Sequence, residues 1–314
     1  MSVRALASVA ALLGAALAVA SCSTDTATPA PSPSSTPSVS PAPTLKEAPR
    51  FDVGRVLEDI GHLANEIGPR HATSSAYREA VDWVERRFRT LGYDVERMDV
   101  AAPAGNTWGV DVAAGNSPNV IAQPAGFDRS EPHVVVGAHL DTVPVAPGAE
   151  DNASGVAVML ELARVMAGDE RQVKFIAFGA EEPRGAGDNM HHFGSRAYVR
   201  SLVDSERSAL EAMVSLDRVG VDGPEVPICT GGTGATKVRD QLRDAARRED
   251  VPHAVCGDNR ASDHWSFERA NLPSARLGSV PYAGYHSSRD TVDVVSRGQL
   301  NRVGAVMTGW LRAD

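Results

Sequence analysis

Five residues of the types that bind divalent metal ions follow one another along the chain, and a sixth carboxylate directly precedes the third. In chain order the five are His139, Asp151, Glu182, Asp217 and His286, and the sixth is Glu181. Zinc binds imidazole nitrogens and carboxylate oxygens, and one carboxylate can bridge two ions roughly 3.5 to 4 Å apart. Five ligands with one bridging residue give each of two ions three protein ligands and leave room for water and substrate. The pattern therefore favours a two-metal hydrolase.

Two further carboxylates stand close to these ligands in the sequence. Glu181 is the acidic residue left over, and a non-ligand carboxylate beside metal ions is suited to act as the general base for water. Asp141 follows His139 by two residues, and we expect its side chain to accept the free ring N–H of His139 and fix its tautomer. A lone His or Asp at a strand end is more commonly a turn or capping residue. The joint occurrence of these residues favours a site.

Short apolar runs precede three of the candidate positions. Residues 133–138 lead to His139, residues 173–178 lead to the Glu pair, and residues 212–216 lead to Asp217. Such runs, alternating with helical patterns, predict parallel strands in an α/β domain. In these sheets the ligand crevice lies outside the carboxyl ends of the strands, so three ligands are expected to converge there.

The segments around these residues resemble a known enzyme family. The matching motifs are His139-Leu140-Asp141-Thr142, Asp151-Asn152-Ala153-Ser154-Gly155, Phe178-Gly179-Ala180-Glu181-Glu182, Ser215-Leu216-Asp217, Ala261-Ser262-Asp263-His264 and Tyr285-His286-Ser287. As a set they resemble the bacterial secreted zinc aminopeptidases with a co-catalytic metal pair, whose relatives include glutamate carboxypeptidases and glutaminyl cyclases. The resemblance extends from about residue 52 to the end of the chain.

The resemblance implies two Zn²⁺ ions and a role for each matched ligand. Asp151 is expected to bridge the ions. His139 and Asp217 would complete one site, and Glu182 and His286 the other. The implied fold is a three-layer α/β domain with a mixed, mostly parallel central sheet and helices on both faces.

The resemblance also implies the chemistry. Glu181 matches the family's general base, and Tyr285 is similar to a tyrosine that hydrogen-bonds the developing oxyanion in some members. An equally good interpretation of Tyr285 is a partly buried aromatic residue in a loop. The implied substrates are peptides with a free N-terminus, and we expect a monomer.

One loop departs from the family pattern. Many members reach Gly-Ser soon after the Glu pair, whereas here residues 183–193 intervene before Gly194-Ser195. This loop is expected to lie near the cleft and to shape substrate choice. His191 and His192 within it are interpreted as a solvated pair rather than as additional ligands.

The beginning of the chain has the features of an export signal. Arg4 precedes an apolar run over residues 5–20 that is too short for a normal spanning helix and ends in Ala20-Ser21-Cys22. This pattern predicts a lipoprotein signal peptide over 1–21 and a lipid anchor on Cys22, on the outer face of the bacterial cell membrane. An ordinary signal peptide of a secreted protein is the alternative. The Ser-, Thr- and Pro-rich segment 22–49 is expected to be a disordered tether.

A single catalytic domain is predicted over 50–314, since no second linker follows. Within it, helices are predicted from Asp52 to about Ile67, from Ser75 to Leu91, and over 154–167, 235–249 and 298–311. Strands are also expected over 93–100 and 119–123. These helices are scaffold, and their apolar stripes indicate only burial.

The remaining cysteines fit an oxidising compartment. With Cys22 assigned to lipid, Cys229 and Cys256 form an even pair. We predict that they form a disulfide, with two buried free thiols as the alternative. No Cys-x-x-Cys spacing occurs, so neither is expected to bind zinc.

Composition and spacing also limit the function. The net charge of −9 argues against nucleic acid as a partner. A glutaminyl cyclase would not need both His139 and Asp217, and a two-domain carboxypeptidase or deacylase would insert a lid domain between Asp217 and His286, where little room exists. A noncatalytic binding protein should have lost ligands, and none is missing. The preferred N-terminal residue and the native metal stay open.

Overall fold

The structure, a computed structural model, describes residues 49–313. The predicted signal peptide, Cys22 and all but the last residue of the predicted tether lie outside the described residues. Within 49–313, no helix has both the length and the apolar character needed to cross a bilayer.

A mixed sheet of eight strands lies at the centre of the described part of the chain. In spatial order the strands are β1 (Asp94–Met98), β6 (Asn119–Gln123), β8 (Val173–Phe178), β7 (His133–His139), β9 (Leu210–Leu216), β12 (Ser274–Leu277), β10 (Val226–Cys229) and β11 (His253–Cys256). The four central strands β8, β7, β9 and β12 are parallel. At one edge β6 and β1 continue the sheet in antiparallel pairing, and at the other β10 is antiparallel to β12 and parallel to β11.

Helices cover both faces of this sheet. They are α1 (Val53–Gly61), α2 (Ser75–Thr90), α3 (Gly155–Met166), α4 (Phe193–Ser201), α5 (Asp204–Ala209), α6 (Lys237–Arg248), α7 (His264–Glu268) and α8 (Arg297–Leu311). Successive residues of β7 point to opposite faces. Val134 and Val136 therefore belong to the core beneath α1, α2, α3, α6 and α8, whereas Val135 packs with residues of α4 and α7. The predicted three-layer α/β class is confirmed.

Polar side chains begin several helices where the sequence indicated. The Asp52 carboxylate accepts the N–H of Gly54 at 2.8 Å, and the Ser74 hydroxyl accepts the N–H of Tyr77 at 3.0 Å. The first helix is shorter than predicted, because α1 ends at Gly61 and a π-helical turn continues to Ile67.

Several short elements were not predicted. Two small ribbons, β2 (Ala101–Ala102) with β5 (Gly115–Asn116) and β3 (Gly105–Thr107) with β4 (Val110–Val112), lie outside the main sheet. The predicted strand over 93–100 is confined to β1. Conversely, β6 and β8 have the predicted limits.

The disulfide joins the two outermost strands at one edge of the sheet. Cys229 and Cys256 are bonded and face each other in the register of β10 and β11. The predicted pairing is therefore confirmed in the structure. The bond ties the edge strand to the sheet just before the loop that leads to α7.

Candidate metal centre

The five candidate ligands lie together at the carboxyl ends of the central strands. His139 is the last residue of β7, Asp217 follows β9 directly, and Glu182 lies in the loop after β8. Asp151 belongs to a helical turn before α3, and His286 to the loop before α8. Their side chains are at most 5% exposed. The parallel order β8-β7-β9 explains this convergence, because neighbouring strands end at the same edge.

Asp151 lies between the two histidines. Its Oδ1 is 3.2 Å from Nε2 of His139, and its Oδ2 is 3.0 Å from Nε2 of His286. Oε1 of Glu182 is 3.3 Å from Nε2 of His286, and Oδ1 of Asp217 is 3.9 Å from Nε2 of His139. Each oxygen of one carboxylate thus faces a separate pair of donors, which is the arrangement a bridging ligand requires.

The donor atoms fit divalent metal ions. Oε1 of Glu182 and Oδ1 of Asp217 are buried and accept no hydrogen bond among the described residues. A buried carboxylate oxygen that accepts no hydrogen bond is unfavourable, and a bound cation would compensate it. Three-residue groups with donor atoms within 4.8 Å of one another are His139, Asp151 and Glu182, and also His139, Glu181 and Asp217. Imidazole and carboxylate donors suit zinc.

Hydrogen bonds from outside the ligand set hold the turn that carries Asp151. The Asp290 carboxylate accepts the backbone N–H groups of Glu150 and Asp151 at 2.8 and 3.1 Å. The side chain of Asn152 donates to the carbonyl of Leu216 at 2.9 Å and so ties the turn to the end of β9. The position of the Asp151 carboxylate is therefore set by its neighbours in the fold.

Arg70 is fully buried and holds the loop that follows β7. Its guanidinium donates to the main-chain carbonyls of Leu140 at 2.8 Å, Pro147 at 2.8 Å and Gly148 at 3.0 Å. Burial lowers the pKa of Arg70 to about 10, so the group stays charged at neutral pH. One side chain thereby satisfies three carbonyls of an irregular loop.

Asp141 has different partners from those predicted. Nδ1 of His139 lies 3.0 Å from the main-chain carbonyl of Asp141 and 3.9 Å from its carboxylate. The carboxylate instead accepts the backbone N–H groups of Glu181 at 3.0 Å and Glu182 at 3.2 Å. The expectation that the side chain accepts the ring N–H is therefore wrong. The backbone carbonyl orients the imidazole, and the carboxylate fixes the Glu pair.

Glu181 lies beside the candidate ligands and contacts a buried histidine. Its Oε1 is 3.1 Å from Nε2 of His192, which is 3% exposed. The interpretation of His192 as solvated is wrong, because its backbone N–H donates to the carbonyl of Glu181 at 2.9 Å and turns the loop inward. Burial, and then the carboxylates of Asp217 and Asp141, raise the pKa of Glu181 to about 8 against the charge of His139. A bound cation would lower this value.

Two guanidinium groups flank Asp217. Nη2 of Arg276 lies 3.0 Å from its Oδ1 and donates to its main-chain carbonyl, and Nε of Arg218 lies 3.6 Å from Oδ1. Burial opposes ionisation of Asp217, but the charges of Arg276 and His139 lower its pKa below the ordinary value. Asp217 therefore stays an anion at neutral pH.

The other ligands also influence one another. Burial opposes protonation of His286, yet the carboxylates of Glu182 and Asp151 raise its pKa to about 10. Burial raises the pKa of Glu182 to about 8, with a further increase from Asp151. Metal ions must therefore displace protons from these groups when they bind.

A cavity of about 170 Å³ opens onto the centre. The ring of Tyr285 stacks on the imidazole of His286 with 3.7 Å between centroids, and Trp108 meets the same imidazole edge-on at 4.5 Å. Pro183 and His191 also line the cavity, so the loop over 183–193 borders the cleft as predicted. Tyr285 is 40% exposed and therefore accessible from the cleft.

Trp108 reaches the cleft on the turn between β3 and β4. The guanidinium of Arg184 donates to the carbonyls of Pro103 and Ala113, on either side of this ribbon, at 3.1 and 3.0 Å. A Cβ on Gly105 would lie 1.9 Å from the main-chain oxygen of Arg184, so glycine is needed for this close approach. Arg184 thus fastens the ribbon to the loop that follows the Glu pair.

Sequence reasoning missed several residues around the centre. They are Arg70, Trp108, Asp290 and Arg276, together with the buried position of His192. Arg276 had a usable signal, because an arginine inside a short apolar strand needs a buried partner. Trp108 had none, since its turn lies well before the first ligand in sequence, and although Asp290 closely follows His286, nothing near it in the sequence indicated that it holds the distant turn of Asp151.

The chain resembles proteins of known class. The model of peptidase family M28 matches residues 119–311. Aminopeptidase YwaD of Bacillus subtilis is 32% identical over 204 residues, which are 61% of this chain and 43% of that protein. Leupeptin-inactivating enzyme 1 of Streptomyces exfoliatus is 25% identical over 248 residues, which are 77% of this chain and 52% of that protein. The chain thus spans about half the length of these curated relatives.

Solved structures share the fold. The zinc aminopeptidase BSAP of Bacillus subtilis aligns with a TM-score of 0.70 at 21% identity, over 84% of this chain and 95% of that chain. The glutaminyl cyclase of Porphyromonas gingivalis also gives a TM-score of 0.70 at 21% identity, over 83% of this chain and 98% of that chain. At these identities the likeness concerns the fold alone. Because the family model matches residues 119–311, more than half of the sequence, the chain belongs to peptidase family M28.

Proposed function

We propose that this protein is a two-zinc aminopeptidase that hydrolyses the first peptide bond of substrates with a free N-terminus. The observation that carries the proposal is the Asp151 carboxylate, whose oxygens face His139 and His286 separately, with Glu181 beside the same donors. Family membership and the aminopeptidases among its curated relatives support it.

The residues divide into two groups of metal ligands that share Asp151. His139 and Asp217 would hold one ion, and Glu182 and His286 the other. Oδ1 of Asp217 lies near Nε2 of His139 and Oε1 of Glu182 near Nε2 of His286, and neither oxygen accepts a hydrogen bond among the described residues, which supports this division. When bound, the zinc pair would polarise the scissile carbonyl and lower the pKa of the attacking water.

The remaining chemistry belongs to side chains of the protein. Glu181 takes a proton from the attacking water and delivers it to the leaving amine nitrogen. The Asp141 carboxylate accepts the backbone N–H of Glu181 and so keeps Glu181 in place. Burial and the carboxylates of Asp151 and Glu182 raise the pKa of Tyr285, so its hydroxyl keeps its proton and can donate to the oxyanion.

The free N-terminus of the substrate suits the cleft. Four carboxylates line it, three of them as metal ligands, and the amine of a free N-terminus would be held beside the metal ions that these residues bind. Blocking that amine should therefore weaken binding, which is the property that separates an aminopeptidase from an endopeptidase.

Hydrolysis of aminoacyl-nitroanilides and of N-blocked peptides by the purified protein tests the proposal. We expect cleavage only at free N-termini, loss of activity with chelator and recovery with zinc. If two equivalents of zinc bind and no substrate with a free N-terminus is cleaved, the aminopeptidase proposal is wrong.

A second activity is worth measuring in the same experiment. Glutaminyl cyclases are among the proteins of similar structure, so an N-terminal glutaminyl peptide belongs in the panel. Release of ammonia without peptide cleavage would indicate a cyclase, and cleavage at a free C-terminus or of an acylated amine would indicate a carboxypeptidase or deacylase.

We also propose that the protein is exported and lipid-anchored through Cys22, with residues 22–49 as a tether to a single catalytic domain over 50–314. The support is the sequence of the first 49 residues. Labelling with radioactive palmitate, compared between the natural protein and Cys22→Ala, tests this. Equal labelling of both would exclude the anchor.

A further inference from the structure

A strained backbone places Arg218 at the wall of the cleft. Its φ of 56° lies in the left-handed region, which is unfavourable for residues other than glycine. Two hydrogen bonds hold this conformation: its N–H donates to Oδ1 of Asn152 at 3.2 Å, and its carbonyl accepts the N–H of Ser279 at 2.8 Å. Strain of this kind persists where the surrounding structure imposes it, and it occurs often at functional sites.

The guanidinium of Arg218 is fixed as well as its backbone. Its Cζ lies 4.5 Å from the centre of the Tyr285 ring, and Nη2 donates to the hydroxyl of Ser279. The side chain is 13% exposed and lines the cavity beside the candidate ligands. An arginine held in this way is preorganised to bind a planar anion.

The charge of Arg218 is not matched by a carboxylate of its own. Within the described residues, its nearest carboxylate is Asp217 at 3.6 Å, and Arg276 lies closer to the same oxygen at 3.0 Å. Arg276 is fully buried and forms an ion pair with Asp217 inside the fold. Asp217 itself is committed to a metal ion if the proposed function is correct.

With the metal ions bound, the wall of the cavity at Arg218 would carry a positive charge. Of the described residues that line it, Arg218 is the only lysine or arginine, and the four lining carboxylates would be neutralised by two divalent ions. The cationic group that remains accessible is therefore the guanidinium of Arg218.

We infer that Arg218 binds a carboxylate of the substrate close to the scissile bond. The inference rests on the proposed function and names its substrate class: dipeptides, through their free C-terminus, or peptides with an acidic side chain beside the cleaved bond. A guanidinium binds either carboxylate with paired, charge-assisted hydrogen bonds.

Matched acids and amides test this with the zinc-loaded protein. The first pair is leucyl-alanine and leucyl-alanine amide, which differ only in the C-terminal carboxylate. The second is leucyl-glutamate amide and leucyl-glutamine amide, and the third is glutamyl- and glutaminyl-nitroanilide, which place the acidic side chain on either side of the cleaved bond. For at least one pair we expect kcat/KM of the acid to exceed that of its neutral partner by about tenfold or more.

The variants are Arg218→Gln and Arg218→Lys, with Arg200→Gln on the exposed end of α4 as the matched control. Arg218→Gln should bring the acid-to-amide ratio close to one, Arg218→Lys should leave an intermediate ratio, and Arg200→Gln should leave it unchanged. The ratio is informative even if the absolute rate changes. Zinc content of each variant shows whether the metal centre is intact.

The outcomes separate this inference from the proposed function. If neither acids nor amides are cleaved, the aminopeptidase proposal fails. If both are cleaved at equal rates in all three pairs, or if the preference for acids survives in Arg218→Gln, peptide hydrolysis stands and the role of Arg218 is wrong. If Arg218→Gln fails to fold, equal rates in the natural protein still overturn the inference, and Arg218→Lys tests the residue itself, because an unchanged preference for acids in that variant would contradict the role of Arg218.

Discussion

The acidic residues of the centre differ in what their oxygens contact. The Asp141 carboxylate accepts two backbone N–H groups, whereas that of Asp151 faces two histidines. Glu182 and Asp217 each keep a buried oxygen that accepts no hydrogen bond from any residue within 49–313. Residue type alone cannot separate these roles, because all are carboxylates at loop positions. The sequence predicted that they meet, and the direction of the backbone at Asp141 decides which of its atoms orients His139.

Replacing Glu181 by Gln should abolish proton transfer while preserving the metal ligands. The amide cannot accept the proton of water, so we expect kcat to fall by about 10² to 10⁴, the usual contribution of a positioned base. Zinc content measured by mass spectrometry should remain at the natural level. Glu182→Gln is the adjacent comparison and should lose metal. An active Glu181→Gln variant would remove Glu181 from its proposed role.

Buried His264 should make the folded state sensitive to acid. Its Nε2 lies 2.7 Å from the carbonyl of Asn259, and burial, then the charge of Arg276, lowers its pKa to about 3. An unfolded histidine has a pKa of about 6.5. Between these values the unfolded chain binds a proton that the folded state does not, so stability is lost as pH falls below 6.5 and regained as pH rises.

Urea denaturation of the metal-free protein between pH 7 and pH 4 measures this effect without zinc release. A difference of one pH unit between the two pKa values corresponds to about 1.4 kcal/mol. We expect the contribution of His264, measured as the difference in the free energy of unfolding between the natural protein and His264→Gln, which keeps a donor for Asn259, to fall by several kcal/mol over this range. His253→Gln, on the sheet edge, is the control. Parallel pH curves for the natural protein and His264→Gln would contradict the assignment.

Among the strands of the main sheet, β1 and β6 to β9 were predictable, and the short strands β10, β11 and β12 were not. The runs that form β7, β8 and β9 are mostly apolar because both faces of a parallel sheet are covered, and such runs are distinctive. Strands β10 to β12 are only four residues long, and β10 contains a proline. Pairing with distant partners defines them more than their own sequence does.

The path of the loop over 183–193 was also not predictable from the sequence. Its composition is polar and rich in glycine, which indicates a loop but not its path. Arg184 N–H donates to the carbonyl of Met190 at 2.8 Å, and His192 N–H to that of Glu181 at 2.9 Å. These contacts fold the loop back on itself and bury His192. No local pattern in the sequence encodes them.

The disulfide should stabilise the sheet edge. It closes a loop with a sequence separation of 27, and a loop of this size corresponds to about 2–4 kcal/mol in the chain-entropy account. The double variant Cys229→Ala/Cys256→Ala should therefore unfold at lower guanidinium concentration. Natural protein treated with reductant should shift to the same midpoint. Alkylation of both thiols in unreduced protein would show that the bond does not form.

At the scale of the molecule, the carboxylates of the metal centre contribute to the acidity of the chain. The net charge is −9, and the centre concentrates several carboxylates at one edge of the sheet with only two histidines among the ligands. Burying like charges is unfavourable unless cations or protons compensate them. Metal binding is therefore expected to contribute to folding stability as well as to catalysis.

Chelation should lower the melting temperature of the protein, and zinc should restore it. A ligand that binds only the folded state adds about 4 kcal/mol at a thousand times its dissociation constant, which is about 8–16 °C for a domain of this size. Calorimetry over a zinc titration should show the steep part of the rise ending at two equivalents. Asp151→Ala removes the carboxylate shared by both groups of ligands, so zinc should raise its melting temperature little or not at all, whereas the exposed substitution Asp82→Ala should leave the response intact. An equal rise in Asp151→Ala would place the zinc elsewhere. A rise completed at one equivalent would reduce the centre to a single ion and favour cyclase chemistry over the two-metal mechanism.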